Sequence, residues 1–151
     1  MRFTKIFPKP RGFTLLELLL VLAMIALVFA IGGPISTSLF RQNNLQSAAE
    51  TTAQFLSRAQ LRATAVENDS PWGVALQNSQ VVLFQGTSFA NRDSAWDEVF
   101  EFSSSLQNSG LAEIIFAKLS GEPSTTGQIV FTDTSGDSKT LTLNSAGVVD
   151  F

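Results

Sequence analysis

The order of hydrophobic and polar residues divides the chain into three regions. From Phe13 to Ile35 the sequence reads FTLLELLLVLAMIALVFAIGGPI, and its polar side chains are Thr14 and Glu17. A helix of about 20 apolar residues, rising about 1.5 Å per residue, spans the hydrocarbon core of a bilayer. Buried helices of soluble proteins are seldom apolar on every side. The pattern therefore predicts a membrane-inserted helix over residues 13–35.

Residues 36–67 continue as an amphipathic helix. No Gly or Pro interrupts this region, and Asn68-Asp69-Ser70-Pro71 supplies a stop signal. We expect the apolar stripe to pack on the chain's own head domain, because a seam dominated by Ala and Thr suits a free coiled coil poorly. The stripe recurs at steps of three and four residues and consists of Leu45, Ala48, Ala49, Thr52, Phe55, Leu56, Ala59, Ala63 and Val66.

Residues 68–151 predict a small antiparallel β head. About six or seven short strands, separated by polar turns, would wrap on the stem helix and give an α+β fold with a long N-terminal helix. The run at 95–102 alternates as a strand, with a short helix as the alternative. The runs rich in strand formers are 72–76, 81–85, 95–102, 111–118, 128–132, 139–143 and 148–151. We expect the core to contain Phe84, Phe89, Trp96, Phe100, Phe102, Phe116 and Phe131.

Charge separates the first twelve residues from the rest. Residues 1–12 carry Arg2, Lys5, Lys9 and Arg11 and no acid, whereas all 13 acidic residues follow them. Basic residues before an apolar segment place that end in the cytoplasm. The charge pattern therefore predicts a single-pass protein of the cytoplasmic membrane, with the head outside the membrane.

Composition argues against most enzymes. The chain has 151 residues, of which 15% are charged, and it contains no His and no Cys. This removes the commonest general base, thiol nucleophiles, disulfides and cysteine-ligated metals. We therefore expect a protein that is not an enzyme and has no cofactor.

An ordinary secretory signal peptide is the alternative for the apolar segment. Leu18–Ile31 has the length of such a core, and cleavage after Gly32 would release a soluble protein starting at Gly33. Glu17 argues against this alternative, because a carboxylate at the start of a signal-peptide core serves no purpose there. An ionisable residue in an apolar segment is by default a functional residue.

The junction before the apolar segment offers Glu17 a partner. Cleavage after Gly12 would give Phe13 a free α-amino group with a pKa of about 7.7–8.0, mostly cationic near neutrality. Glu17 lies four positions later, so its carboxylate can meet that amine in the same chain or in a neighbouring one. Pairing offsets much of the cost of removing both charges from water.

The junction resembles that of the type IV pilins and the type II secretion pseudopilins. Their precursors have a short basic leader ending in Gly, then Phe-Thr-Leu-x-Glu and a long apolar helix. Gly12, Phe13, Thr14, Leu15 and Glu17 match this signature. The resemblance implies that a prepilin peptidase cleaves between Gly12 and Phe13 and N-methylates Phe13. It also implies that Glu17 pairs with the amine of an adjacent subunit during assembly.

The resemblance extends to the helix interior and, more weakly, to the head. Gly32, Gly33 and Pro34 lie where many relatives carry a proline at which the helix melts in the filament; a simple kink or a helix restart at Pro34 is the alternative. WGVALQNSQVVLFQGTSF and IVFTDTSGDSKTLTLNSAGVV resemble the head of H-type minor pseudopilins. The absence of a disulfide, which closes a loop in many pilins, favours a pseudopilin.

The sequence therefore predicts a structural subunit of a periplasmic or surface filament. By resemblance, its partners are other pilin or pseudopilin subunits, the prepilin peptidase, the inner-membrane assembly platform and, before assembly, the lipid bilayer. A type IV or competence pilus subunit remains the close alternative. Nucleic acid is not favoured, because the basic residues after Gly12 are scattered among acids. Asp133 and Asp137 are weak Ca²⁺ candidates, since their spacing also suits an ordinary hairpin turn.

Overall fold

A computed structural model describes residues 12–151, with the backbone alone described for residues 31–40. The chain forms two compact units, Met1–Leu39 and Phe40–Phe151. The predicted leader over residues 1–12 lies outside the described residues except for Gly12.

A single helix, α1, runs from Leu15 to Thr64 over 50 residues. Its first part lies in the first unit and its last part in the second. In its last turn, the Ala63 carbonyl accepts a hydrogen bond from the amide of Leu119 at 3.1 Å, so a loop of the head caps the helix. A short 3-10 helix, Glu67–Asp69, then leads into the first strand at the predicted stop signal.

The head contains eight strands in two four-stranded antiparallel sheets. The first sheet has the order β3-β2-β1-β5 and the second the order β4-β6-β7-β8. The α+β fold with a long N-terminal helix is therefore confirmed. The strands are β1 Trp72–Gln77, β2 Gln80–Gln85, β3 Asp93–Glu101, β4 Gln107–Gly110, β5 Glu113–Phe116, β6 Gly127–Thr132, β7 Ser138–Leu143 and β8 Val149–Asp150.

The predicted stripe on the stem helix forms the head's core together with both sheets. Every residue of the stripe from Leu45 to Ala63 is buried, and Val66, which follows the end of α1, is half-buried. These side chains join one cluster with residues of both sheets, such as Ile114 and Phe131. The prediction that the stripe packs on its own domain is confirmed. Burial of the apolar stripe is what holds this part of α1 to the head.

The aromatic core differs from the prediction at Trp96. Phe84, Phe102, Phe116 and Phe131 are buried as expected, and Phe89 and Phe100 are half-buried. Trp96 is 45% exposed, so its assignment to the core was wrong. The reason is its position on β3, an outer strand of the first sheet. Trp72, on the inner strand β1, is fully buried and meets Trp96 edge to face at 6.5 Å between ring centroids.

One strand, β4, was not predicted. Its sequence, Gln-Asn-Ser-Gly, has no strand-forming residue, yet it pairs with β6 from Gln107↔Thr132 to Gly110↔Ile129. Backbone hydrogen bonding to a neighbouring strand, rather than side-chain preference, creates this element. The run at 95–102, by contrast, is a strand as predicted.

Candidate processing and assembly site

The predicted cleavage junction lies in open chain ahead of the helix. Gly12 and Phe13 precede α1, and the Phe13 side chain is 83% exposed. A Cβ placed on Gly12 would find no atom within 4 Å. The Gly12–Phe13 peptide bond is therefore accessible, which a processing peptidase requires.

Thr14 caps the helix and positions Glu17. The Glu17 amide donates to the Thr14 side-chain oxygen at 3.2 Å, and the Leu18 amide donates to the Thr14 carbonyl at 3.1 Å. Thr14 is thus the N-cap, and Glu17 is the third helical residue. A carboxylate in the first turn is favoured by the helix dipole. Sequence reasoning missed this role of Thr14, although Thr-x-x-Glu before an apolar run is the spacing of a capping box.

The first unit exposes apolar side chains on all sides of α1. An apolar surface of this extent is typical of a region that contacts other proteins or lipid. The exposed large side chains of this segment are Leu15, Leu16, Leu18, Leu19, Leu20, Val21, Leu22, Met24, Ile25, Leu27, Val28 and Phe29.

Within the described part of the chain, no helix is both long enough and apolar enough to cross a membrane.

The Gly32-Gly33-Pro34 sequence lies inside α1, whose helical assignment continues through it. The side chains of residues 31–40 lie outside the described residues. The predicted weak point of the helix in a filament therefore stays a prediction.

The two Ca²⁺ candidates lie together in the β6–β7 turn, where their hydrogen bonds hold the turn itself. The buried Asp133 carboxylate accepts bonds from the amide and hydroxyl of Ser135 at 2.8 and 2.7 Å. It also accepts the Asp137 amide at 3.0 Å. In residues 12–151, no group of three acidic side chains has metal-binding geometry. These hydrogen bonds close a hairpin turn.

The turn also lowers the pKa of Asp133. The hydroxyl of Ser135 is the largest cause of this lowered pKa, and burial opposes it by disfavouring the charged carboxylate. The amides of Ser135 and Asp137 and the charge of Arg41 lower the pKa further. Asp133 is therefore ionised at neutral pH and bound to the turn in that form.

An ion-pair cluster joins α1 to the first sheet. Arg58 and Arg62 both contact the Glu98 carboxylate on β3, at 2.7 and 2.5 Å, and Arg62 lies 3.7 Å from Glu67. The Arg62 guanidinium also stacks 4.6 Å from the centre of the Trp72 ring. The two arginines are one helical turn apart, a spacing that allows them to share a partner.

A shallow groove of about 670 Å³ lies between α1 and the C-terminal strand. Several of its polar side chains already have partners: Ser57 donates to the Ala53 carbonyl at 3.0 Å, and Glu50 accepts a bond from Gln46. Gln60 donates to the carbonyls of Gly121 and Ala146 in the head, at 3.1 and 2.8 Å.

Two comparisons with known proteins found similarity, one in sequence and one in fold. Residues 8–33 match the family model described as the prokaryotic N-terminal methylation motif. The fold is similar to that of the minor pseudopilin EpsH from the type 2 secretion system of Vibrio cholerae. The similarity has a TM-score of 0.53 at 14% sequence identity and covers 71% of this chain and 94% of that one. No curated protein matches the chain.

The chain thus combines an N-terminal methylation motif with a fold similar to that of a minor pseudopilin. Both findings agree with the resemblance to the type IV pilins and pseudopilins that the sequence indicated.

Proposed function

We propose that the chain is a minor pseudopilin, a structural subunit of a type II secretion filament that supports protein export. Residues 13–35 insert in the cytoplasmic membrane with the leader inside, and the head lies in the periplasm. A prepilin peptidase removes residues 1–12 and methylates Phe13, and an inner-membrane platform then moves the subunit from the bilayer into the filament. The chain acts by assembly and catalyses no reaction.

One observation carries the proposal: Glu17 is the acidic residue of an otherwise apolar, exposed helical surface next to an accessible Gly12–Phe13 junction. Lipid covers the apolar surface before assembly, and neighbouring helices cover it afterwards. A carboxylate in that setting needs a cation, and the new Phe13 amine of an adjacent subunit supplies one.

Two alternatives remain for the same chain. A type IV or competence pilus subunit would use the same helix chemistry, and similarity to a minor pseudopilin, together with the absence of Cys, supports the secretion filament instead. An exported soluble binding protein would be cleaved near Gly32. In that protein Glu17 would be discarded with the signal peptide, so its substitution would have no effect on the mature protein.

The experiment replaces Glu17 in the full-length chain, expressed in a host strain that lacks the endogenous copy. Loss of one partner of a buried ion pair costs about 3–5 kcal/mol, so Glu17→Ala should reduce recovery in the filament fraction by roughly a hundredfold or more. Cleavage and membrane insertion should persist. Glu50→Ala is the matched control, because Glu50 is an exposed acid on the same helix but lies in the head.

Normal filament recovery of the Glu17→Ala variant would refute the assembly role of this carboxylate. Profiling the exported proteins of the deletion strain separates the two filament systems. A secretion pseudopilin predicts lost export with pili intact, and a pilus subunit predicts the reverse.

A further inference from the structure

The two outer strands of the first sheet differ in how their free edges are covered. The edge of β5 is covered by the following loop: the Ser124 amide donates to the Ile115 carbonyl at 2.7 Å, and Phe116 bridges to Pro123. On the opposite side, β3 pairs with β2 and with no other strand of residues 12–151. Its nine residues therefore form the long uncovered edge of this sheet.

The register of β3 shows which backbone groups face outward. The Phe102 amide donates to the Ser79 carbonyl at 2.9 Å, and Phe100 and Glu98 lie opposite Val81 and Leu83. In an antiparallel pair, residues whose backbone groups bond the neighbouring strand alternate with residues whose backbone groups point away from it. The N–H and C=O groups of Val99 and Glu101 therefore point away from β2. The register shift lies between Leu83 and Gln85 of β2. The part of β3 from Glu98 to Glu101 therefore pairs with β2 in regular register.

β3 combines charged side chains with exposed apolar ones. Exposed edges are commonly protected by short length, bulges, Pro or charged side chains, especially Lys. β3 carries acids and a register shift but no Lys or Pro, and it exposes Val99 by 52%, in addition to the exposed Trp96. Exposed apolar and aromatic side chains beside free backbone groups are typical of a strand that accepts a partner.

The charges of β3 indicate the kind of partner. The strand carries four acids and no base; Asp97 pairs with Arg92, and Glu98 pairs with the arginines of α1. Asp93 and Glu101 form no ion pair within residues 12–151. Edge-to-edge pairing of two β3 strands would bring acids opposite acids, which is destabilising. Among the described residues, the other strands contain a single basic residue, Lys139.

We propose that the outer edge of β3 binds an extended segment of a different protein that carries Lys or Arg, by β-strand addition. The outward backbone groups of Val99 and Glu101 bind the main chain of this segment. Glu101 and Asp93 bind its basic side chains, and Trp96 and Val99 contact its apolar ones. This surface belongs to the head, so the proposal does not depend on the chain's role in a filament.

The test is photocrosslinking of the full-length chain in its native host. A benzophenone amino acid replaces Ala95, an exposed residue of β3; in a parallel chain it replaces Leu61, which is 68% exposed on α1. Mass spectrometry then maps the crosslinked peptide. We expect position 95 to crosslink to one contiguous segment of another protein that contains Lys or Arg, and position 61 not to do so.

Two substitutions, each combined with the position 95 probe, separate edge binding from a nonspecific surface contact. Val99→Pro removes an outward N–H while leaving the hydrogen bonds to β2, and Glu101→Lys reverses an unpaired charge. Each should lower the crosslink yield about tenfold, whereas Glu122→Lys, at an exposed acid outside β3, should not. Tryptophan fluorescence checks that the head is folded in each variant.

Several outcomes would overturn the proposal. These are a crosslink to a second copy of this chain, a crosslink only to lipid, a target segment without Lys or Arg, and no adduct above that of position 61. Unchanged yield in a folded Glu101→Lys variant would equally refute it, and this variant remains informative if Val99→Pro does not fold.

Discussion

Asp133 is the side chain with the clearest local function in the head. It lies at the end of β6, is buried, and accepts hydrogen bonds from the two amides and the hydroxyl of the turn that follows. From the sequence, Asp133 and Asp137 were equivalent candidates for a cation site. The structure gives them different roles: the Asp133 carboxylate holds the turn, and Asp137 is exposed. Spacing alone cannot distinguish these roles, because both depend on which carboxylate faces the backbone.

Replacing Asp133 by Asn should destabilise the head at neutral pH. Because the pKa of Asp133 in the folded protein is below its ordinary value of 3.8, its contribution to stability is present above that pH. The contribution is lost as the pH falls through the lowered value. Thermal unfolding in detergent, followed by the fluorescence of Trp72 and Trp96, measures the effect.

The control for this prediction is Asp137→Asn, at the exposed acid of the same turn. The difference between wild type and Asp133→Asn should shrink as the medium is acidified below pH 3.8. An unchanged difference across that range, or an equal effect of Asp137→Asn, would contradict the assignment.

Secondary-structure elements could be predicted from the sequence where the burial of apolar side chains forms them. The stem stripe was predictable because a helix that packs on one side must place apolar or small residues at steps of three and four. The hairpin of β1 and β2 was predictable for a similar reason, since two apolar runs flank Asn78 and Ser79. β4 was not predictable, because its residues carry no hydrophobic pattern and β6 supplies its hydrogen-bonding partner. The exposure of Trp96 depends on strand order, which the sequence does not specify.

The stem helix offers a matched pair of leucines that tests the packing. Leu56 is fully buried in the core cluster, whereas Leu61, five residues later, is exposed. Leu56→Ala should lower the free energy of unfolding by about 2–5 kcal/mol through lost burial and a residual cavity. Leu61→Ala should change it by no more than about 0.5 kcal/mol. Urea unfolding of both variants measures the difference; equal effects would mean that the helix face is wrongly assigned.

The pairing of the unpredicted strand β4 with β6 can be tested by substituting its last residue, Gly110. Gly110 has φ +95°, and a Cβ there would lie 2.0 Å from the Gln128 carbonyl oxygen of β6. Gly110→Ala should therefore disrupt the β4–β6 pairing and slow neither cleavage nor membrane insertion. Gly136 has a similar φ of +91° with no atom within 4 Å, so Gly136→Ala isolates the cost of the backbone angle.

Hydrogen exchange measures this effect through the amides of residues 107–110 and 127–132. Protection should fall in Gly110→Ala and stay close to that of the wild type in Gly136→Ala. Equal protection in both variants would argue against the observed register of β4.

The whole molecule divides its tasks along the chain. In our proposals, the basic leader, Glu17 and the apolar helix serve processing and assembly, and the β3 edge of the head binds another protein. The candidate processing site can be proposed from the sequence because it depends on residue type and local spacing. The β3 edge was not predictable, because it depends on which strand the fold leaves at the outside of the first sheet.

The processing prediction is the central claim, and the mature N-terminus tests it most directly. Intact-mass measurement and N-terminal peptide sequencing of the protein from native host membranes should find a chain that starts at N-methylated Phe13. Glu17 would then stand beside a new amine, as the assembly mechanism requires. A mature chain starting at Gly33, or one that retains Met1, would contradict the account.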